Sequence, residues 1–557
     1  MLRCALFAVA VCAIVPNTRA ADPTGNWILS YALPNGDSAL CIVKVETAGG
    51  KSTATVAFAP KGTEFAVSDF TATDKQISFS VKQTVNVQGR QIVNDLKFVG
   101  TPGKDGKVVL GNIGPATAAA RRAKLTATDK TELDVAAMTA RSPAGNDYVK
   151  VTQLSSKPLQ VQIKMQQEKD AEAKKGLQKE LVAAREEVAE KLPGLLRDVI
   201  DKHPDTVAAA ESALTLFRNP QAKLTPDEAA KMADIVRKQS TPYGPRFEVS
   251  NMAAAAEAVA NRKDLAPVVL PIIEPVAKGL TDEINPADQV KVLSLYKSAL
   301  TTAGKTDEAK AIDARLTKIE AKLDAEYLAT VPPFKPTPYA GRKTAGANQV
   351  TVFELFTGAQ CPPCVGADVA FDALMKTYKP TDVLLIQYHV HIPGPDPLTS
   401  PESEKRFAYY REAFPEGMPG APSTVFNGKP SRLGGGGTIA SGEGKSKEYA
   451  DIINPLLEKK TDVKVTGKAT RTGDKIDIAV SVDGADGEDT KLRLLVVEES
   501  VKYVGGNQIR FHHHVVRAMP GGVEGVAVKD KAFKHTETAD VAAIKASLAK
   551  YLDDYAA

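Results

Sequence analysis

At 557 residues the chain is too long for one hydrophobic core, since single domains run about 100 to 200 residues, so roughly three to five domains are expected. An apolar fraction of 43% and a charged fraction of 25% exclude wholesale disorder and a membrane-embedded body. A formal net charge of +4 calls for no nucleic-acid partner.

Met1-Leu2-Arg3, the apolar run from Ala5 to Val15 and Thr18-Arg19-Ala20 predict a signal peptide over residues 1–20, cleaved after Ala20. The run is shorter than the roughly 20 residues a spanning helix needs, and no later stretch reaches that length, so periplasmic or secreted export without a membrane span is expected. Cys4 and Cys12 would leave with the leader. The remaining Cys41, Cys361 and Cys364 are an odd set, which argues against a structural disulfide framework.

Residues 21–135 carry short alternating runs, among them Thr53 to Phe58, Gln76 to Val81 and Gln91 to Phe98, separated by Gly, Asp and Lys turns. Period-two alternation predicts half-buried antiparallel strands, and Gly25-Asn26-Trp27 is loosely like the opening strand of small up-and-down barrels. Cys41, inside the run Leu40 to Val45, is expected as a small buried hydrophobe.

Residues 156–330 turn to Ala, Glu, Lys and Leu at helical spacing, interrupted by Pro193, Pro204, Pro220 and Pro286. Thr225-Pro226-Asp227-Glu228 has an N-cap, a proline at the first helical position and an acid placed for a capping box. Tyr296 to Leu323, around Gly304-Lys305-Thr306, looks like a tetratricopeptide-type helical hairpin, though no fixed period makes an array. Such pairs hold partners or act as spacers. Prolines at 332, 333, 336 and 338 then predict a stiff linker over residues 331–347.

The chemistry-bearing stretch is 348–460. A β-branched and aromatic strand from Gln349 to Phe356 leads through Thr357-Gly358-Ala359-Gln360 into Cys361-Pro362-Pro363-Cys364 and a helix over Val369 to Tyr378. At a helix N-terminus the dipole stabilises the Cys361 thiolate, and Cys364, one turn on, resolves the mixed disulfide. Pro362 and Pro363 remove two amide donors from around the Cys361 sulfur. A second strand, Val383 to Val390, should lie parallel to the first and bring His389 and His391 near the cysteines.

This stretch resembles the thioredoxin-like superfamily, and in particular secreted bacterial members with Glu-Leu-Phe-Thr before the cysteine pair, here Glu354 to Thr357, and His-Val after the second strand, here His389-Val390. Asp396-Pro397 and Arg406 to Tyr410 in the following insertion extend the likeness. The resemblance implies an α/β thioredoxin-like domain in which Cys361 and Cys364 form a redox-active disulfide. It also implies that Pro422, in Gly420-Ala421-Pro422-Ser423, is the cis-proline facing them, with Pro419 as fallback. Two departures stand out: thioredoxin has Trp beside the first cysteine and a buried acid in the first strand, where this chain has Gln360 and Leu355. Glu354 is one position off that acid, so His389 is the substitute proton carrier.

Residues 461–557 read as an antiparallel β-domain with alternation over Lys475 to Val482, turns at Gly473 and at Gly484 to Gly487, and a terminal helix from Asp540 to Tyr555. Within it His512 and His514 would share a strand face opposite His513, a pair that lacks a third metal ligand. Gly434 to Gly437 reads as a flexible joint, not a phosphate loop.

Three functions fit these residues. The first is a thiol-disulfide oxidoreductase acting on protein substrates or a redox partner with no bound cofactor. The second is a copper- or zinc-binding metallochaperone-like module using Cys361, Cys364, His389 and His391. The third is a non-catalytic interaction protein that keeps the fold as a scaffold.

Overall fold

The computed structural model describes residues 23–87, 90–115, 120–133, 141–431, 433–485 and 490–556. The expected signal peptide and the turn residues Asp486 and Gly487 lie outside them. The chain divides into two compact units, one ending at Leu323 and the other beginning at Asp324.

The first unit opens with eight strands: β1 (Gly25–Leu33), β2 (Gly36–Ala48), β3 (Lys51–Phe58), β4 (Thr63–Ala72), β5 (Ile77–Val87), β6 (Arg90–Pro102), β7 (Val108–Gly114) and β8 (Arg121–Thr128). They form one antiparallel sheet in the order β3-β2-β1-β8-β7-β6-β5-β4, a nearly closed barrel whose two edge strands follow each other in sequence. Leu29, Val43, Phe79, Phe98 and Leu125 fill it, and the Trp27 indole N–H donates to the Pro23 carbonyl at 2.8 Å. Cys41 is fully buried here, without a disulfide partner, and burial pushes its thiol up to about 12.

The helical middle begins earlier than residue 156. It comprises α1 (Pro143–Gln167), α2 (Ala171–Lys202), α3 (Val207–Arg218), α4 (Pro226–Lys238), α5 (Pro245–Ala260), α6 (Ala266–Lys278), α7 (Pro286–Thr302) and α8 (Thr306–Thr330), the last crossing into the second unit. The Ser142 side chain accepts from Gly145 N and starts α1 ahead of the periodic run. Pro193 does not interrupt: it sits inside α2, where burial of Leu192 and Leu196 outweighs one lost backbone bond. Thr225 caps α4 as expected, but Glu228 closes no box, because its carboxylate takes Arg197 Nε at 2.6 Å. Barrel and helices share a seam in which Asn112 donates to Tyr243 O at 2.8 Å and Arg122 pairs with Glu211 at 2.5 Å over the Phe247 ring.

In the second unit, β9 (Thr351–Thr357), α9 (Val365–Thr377), β10 (Val383–His389), α10 (Pro401–Ala413), β11 (Ser423–Phe426), β12 (Lys429–Ser431) and α11 (Gly442–Leu457) are followed by the remaining elements. These are β13 (Lys464–Thr472), β14 (Lys475–Asp483), β15 (Lys491–Leu492), β16 (Val496–Lys502), β17 (Phe511–Ala518), β18 (Val526–Ala527), β19 (Ala532–Asp540) and α12 (Val541–Ala556). The central sheet runs β12-β11-β9-β10-β17-β16, with β9, β10 and β17 parallel. The expected separate domain over 461–557 is therefore corrected. β16 and β17 extend the central sheet, because β10 would otherwise leave a buried hydrogen-bonding edge, and β13, β14 and β19 make a three-stranded sheet of their own.

Alternation along β9 sorts its side chains between two faces. Phe353 and Leu355 pack with Phe371 of α9 and Tyr449 and Ile453 of α11, while Phe356 packs with Tyr388, Phe407 and Tyr410 on the α10 side. Glu354 shares that second face: it accepts from Tyr388 Oη at 3.1 Å, Arg406 Nε at 3.1 Å and Tyr410 Oη at 2.5 Å. Arg406→Met should destabilise the protein by about 3–5 kcal/mol, because a buried carboxylate loses its counter-charge. A denaturant midpoint shift worth less than about 1 kcal/mol would show the tyrosines suffice.

Residues 331–347 are not a free linker. Tyr339 N donates to Thr377 O at 2.8 Å and its ring lies tilted against that of Tyr378, while Phe334 packs on Val365, Val369 and Ile509. Phe334, between the prolines, and Tyr339, just after them, supply anchors that a pure proline stretch lacks. Among the described residues no helix is long and apolar enough to cross a membrane.

Candidate active site

β9 ends at Thr357, and the chain turns through Gly358-Ala359-Gln360 into a 3-10 turn over Pro362–Cys364 that runs straight into α9. Cys361 and Cys364 form a disulfide, with Cα atoms 5.4 Å apart. Cys361 is 2% exposed and Cys364 fully buried, while Pro362 and Pro363 face outward. Opposite, the Ala421-Pro422 peptide is cis, and the Ala421 carbonyl oxygen lies 4.0 Å from Cys361 Sγ. Pro419 is not a cis residue.

Gly434 to Gly437 is no loose joint but a wall of this site. Gly366 N donates to Gly436 O at 2.5 Å, and a methyl group on Gly435 would collide with the Pro363 carbonyl and stand 2.7 Å from Pro422 Cγ. Only glycine allows backbone that close to the cysteine turn.

His389 ends β10, fully buried, with Nδ1 3.4 Å from Asp396 Oδ1, at ion-pair distance though not aligned for a hydrogen bond. Burial alone would raise the Asp396 carboxyl, but facing His389 and the N–H groups of Leu398 and Ala359 outweigh it and hold it below its ordinary value. His391 lies beyond the strand, so strand alternation no longer aligns it with His389. Its Nδ1 accepts from Asp396 N at 3.2 Å and its ring is turned toward Glu404. The structure thus does not bring Cys361, Cys364, His389 and His391 together, and among the described residues no three His, Cys, Asp or Glu side chains are gathered as a metal would need.

The histidine run also departs from alternation. His514 adopts φ +51°, which breaks the strand pattern and sends Nδ1 to Leu385 O at 2.9 Å, whereas His512 is buried edge-to-face against His389 at 4.8 Å between centroids. Burial, then the neighbouring His389, pushes the His512 imidazole down to about 3, so it is neutral.

Asp368 is the residue that sequence reasoning missed. It stands in the first turn of α9, four residues after Cys364 and so on the same helix face, where Cβ atoms are about 5–6 Å apart. Its Oδ1 accepts from Thr357 Oγ1 at 2.8 Å and Gln387 Nε2 at 3.0 Å, while Oδ2, buried, has no hydrogen-bond partner among the described residues. Burial raises its carboxyl well above the ordinary value, Asp372 and Asp396 push the same way, and the Thr357 hydrogen bond only partly opposes them. The spacing of Cys364 and Asp368 was a visible signal. Glu354, by contrast, faces away toward α10.

Set against known protein families, curated proteins and solved structures, the chain matches none.

Proposed function

We propose that the chain is an exported thiol-disulfide oxidoreductase with a thioredoxin-like domain, exchanging electrons with protein thiols or disulfides through Cys361 and Cys364. The observation that carries this is the disulfide at the head of α9 with the Ala421 carbonyl, preceding cis Pro422, beside the Cys361 sulfur. A substrate thiolate attacks Cys361 Sγ; the Cys361–Cys364 bond breaks, a mixed disulfide forms, and Cys364 leaves as thiolate and takes a proton. A second substrate thiolate then attacks the mixed disulfide, and Cys361 departs as thiolate. The substrate gains a disulfide and the pair becomes a dithiol; the reverse sequence reduces a substrate disulfide. The helix N-terminus favours the Cys361 thiolate in both directions. Asp368 is the proton carrier for Cys364, in place of His389, whose buried imidazole faces Asp396 and packs edge-to-face on His512.

The 2% exposure of Cys361 favours a second reading, an interaction protein with a structural disulfide. Exchange of the full chain with a model protein disulfide separates the two. Turnover above the background of free dithiol supports the oxidoreductase, and a pair that neither exchanges nor equilibrates with glutathione overturns it.

A further inference from the structure

The turn that enters Cys361 is held by a loop from far along the chain, between β16 and β17. Gln360 donates from Nε2 to Tyr503 Oη at 3.2 Å and accepts at Oε1 from Gly506 N at 2.8 Å, so both ends of its carboxamide are engaged. Asn507 N donates to Ala359 O at 3.0 Å, and Asn507 Nδ2 to Gly358 O at 3.3 Å. A methyl group on Gly505 would collide with the Ala359 carbonyl, so the approach requires glycine there. On the opposite side Asp396 Oδ2 takes Ala359 N at 2.5 Å. Asn507 is itself buried, its Oδ1 accepting from Ile509 N at 3.0 Å, and Ile509 packs on Val365 and Val369 of α9. The loop therefore grips both the strand exit before Cys361 and the helix after Cys364.

Ring closure between two cysteines depends on how much of the time their sulfurs are held within bonding reach, an effective concentration set by the rigidity of the connecting backbone. We infer that Tyr503 and Asn507 are positioning residues for the cysteine pair. Acting through Gln360 and the Gly358–Ala359 backbone, they keep the turn in its ring-closing geometry and favour the disulfide over the dithiol. This deepens the thiol-disulfide reading and rests on it. The determinants of the pair's redox equilibrium then include a segment outside residues 348–460.

The test uses the full chain equilibrated in glutathione buffers, with the oxidised fraction read by alkylation and mass. Tyr503→Phe removes one hydroxyl from a partly exposed side chain, and Gln360→Ala removes its partner. Each should lower the equilibrium constant for disulfide formation about three- to tenfold, the yield of one hydrogen bond. The double variant should fall no further than Gln360→Ala alone, because the Tyr503 hydroxyl acts on the turn through the Gln360 carboxamide, which that variant already lacks. A merely structural role would weaken oxidised and reduced forms alike and leave the constant unmoved. Constants within about 1.5-fold of the parent for both variants, or losses that multiply in the double variant, overturn the inference alone. A parent protein that fails to equilibrate with glutathione overturns the oxidoreductase reading and this inference with it.

Discussion

Cys361→Ser is expected to abolish disulfide exchange, with a fall of more than about a hundredfold in the rate with a model protein disulfide, because no other described cysteine can replace its sulfur. Cys41, the one described cysteine outside the pair, is sealed in the barrel of the first unit with its thiol held protonated, so it offers no thiolate. Cys364→Ser should give a different outcome: Cys361 still attacks, no thiol resolves, and a mixed disulfide with the substrate accumulates at one equivalent per chain, visible as a mass adduct that dithiothreitol removes. Residual exchange in Cys361→Ser at the parent rate, or no adduct in Cys364→Ser, would sink the assigned roles. Both variants also lose the covalent link. Because the cysteines are only three positions apart, the ring is small and constrains the unfolded chain little, so the stability loss should be modest, about 2 kcal/mol.

Asp368→Asn is expected to stabilise the fold while slowing exchange. The carboxyl is pushed well above its ordinary value of 3.8 by burial. An acid whose folded value is raised contributes its full stability below the unfolded value and loses it as pH rises, because the unfolded state ionises first. Asparagine has no such loss. The advantage of the variant in urea denaturation should therefore be absent near pH 3, open above about pH 4 and grow until the buried carboxyl itself ionises. Exchange should fall about a hundredfold, the usual worth of a positioned proton carrier, and the limb of the pH-rate profile that reports this carboxyl should vanish. A variant as fast as the parent would remove Asp368 from the mechanism. A stability advantage independent of pH would mean that the asparagine packs better and that ionisation is not the cause. Function at the expense of stability is what a buried, incompletely paired acid one helical turn from the cysteine pair would imply if it carries the proposed proton.

The parts of the site legible in sequence are those set by local rules. Strand, turn, cysteine pair and helix follow one another within thirty or so residues, and each has its own signal: β-branched and aromatic residues in β9, prolines at 362 and 363, and apolar periodicity in α9. Pro422 stood out by its place before β11, and its peptide is cis. Asp368 was equally legible by its spacing from Cys364, but spacing alone does not separate a buried acid from a solvated one, and its burial comes from β9 and β10. Reading Gly434 to Gly437 as a flexible joint failed for a physical reason: glycine permits close packing as readily as mobility, and composition does not say which.

Local periodicity, turn chemistry and cysteine spacing sufficed to place the strands of the nearly closed barrel, the helical middle and the cysteine pair at a helix N-terminus, because hydrogen bonds and amphipathic faces there are made between near neighbours. Long-range pairing lay beyond their reach. That β17 lies against β10, with His514 and Leu385 joined across 129 residues, follows from a sheet edge needing a partner, not from any motif in either strand. With that pairing came everything it carries to the site: the buried His512 against His389, and the loop whose Tyr503, Gly506 and Asn507 hold the turn before Cys361. The sequence thus determined the cysteine pair and Pro422 of the proposed chemistry, and only the tertiary structure decided between Asp368 and His389 and what holds the pair, because positioning is done by contacts between segments that have no local reason to meet.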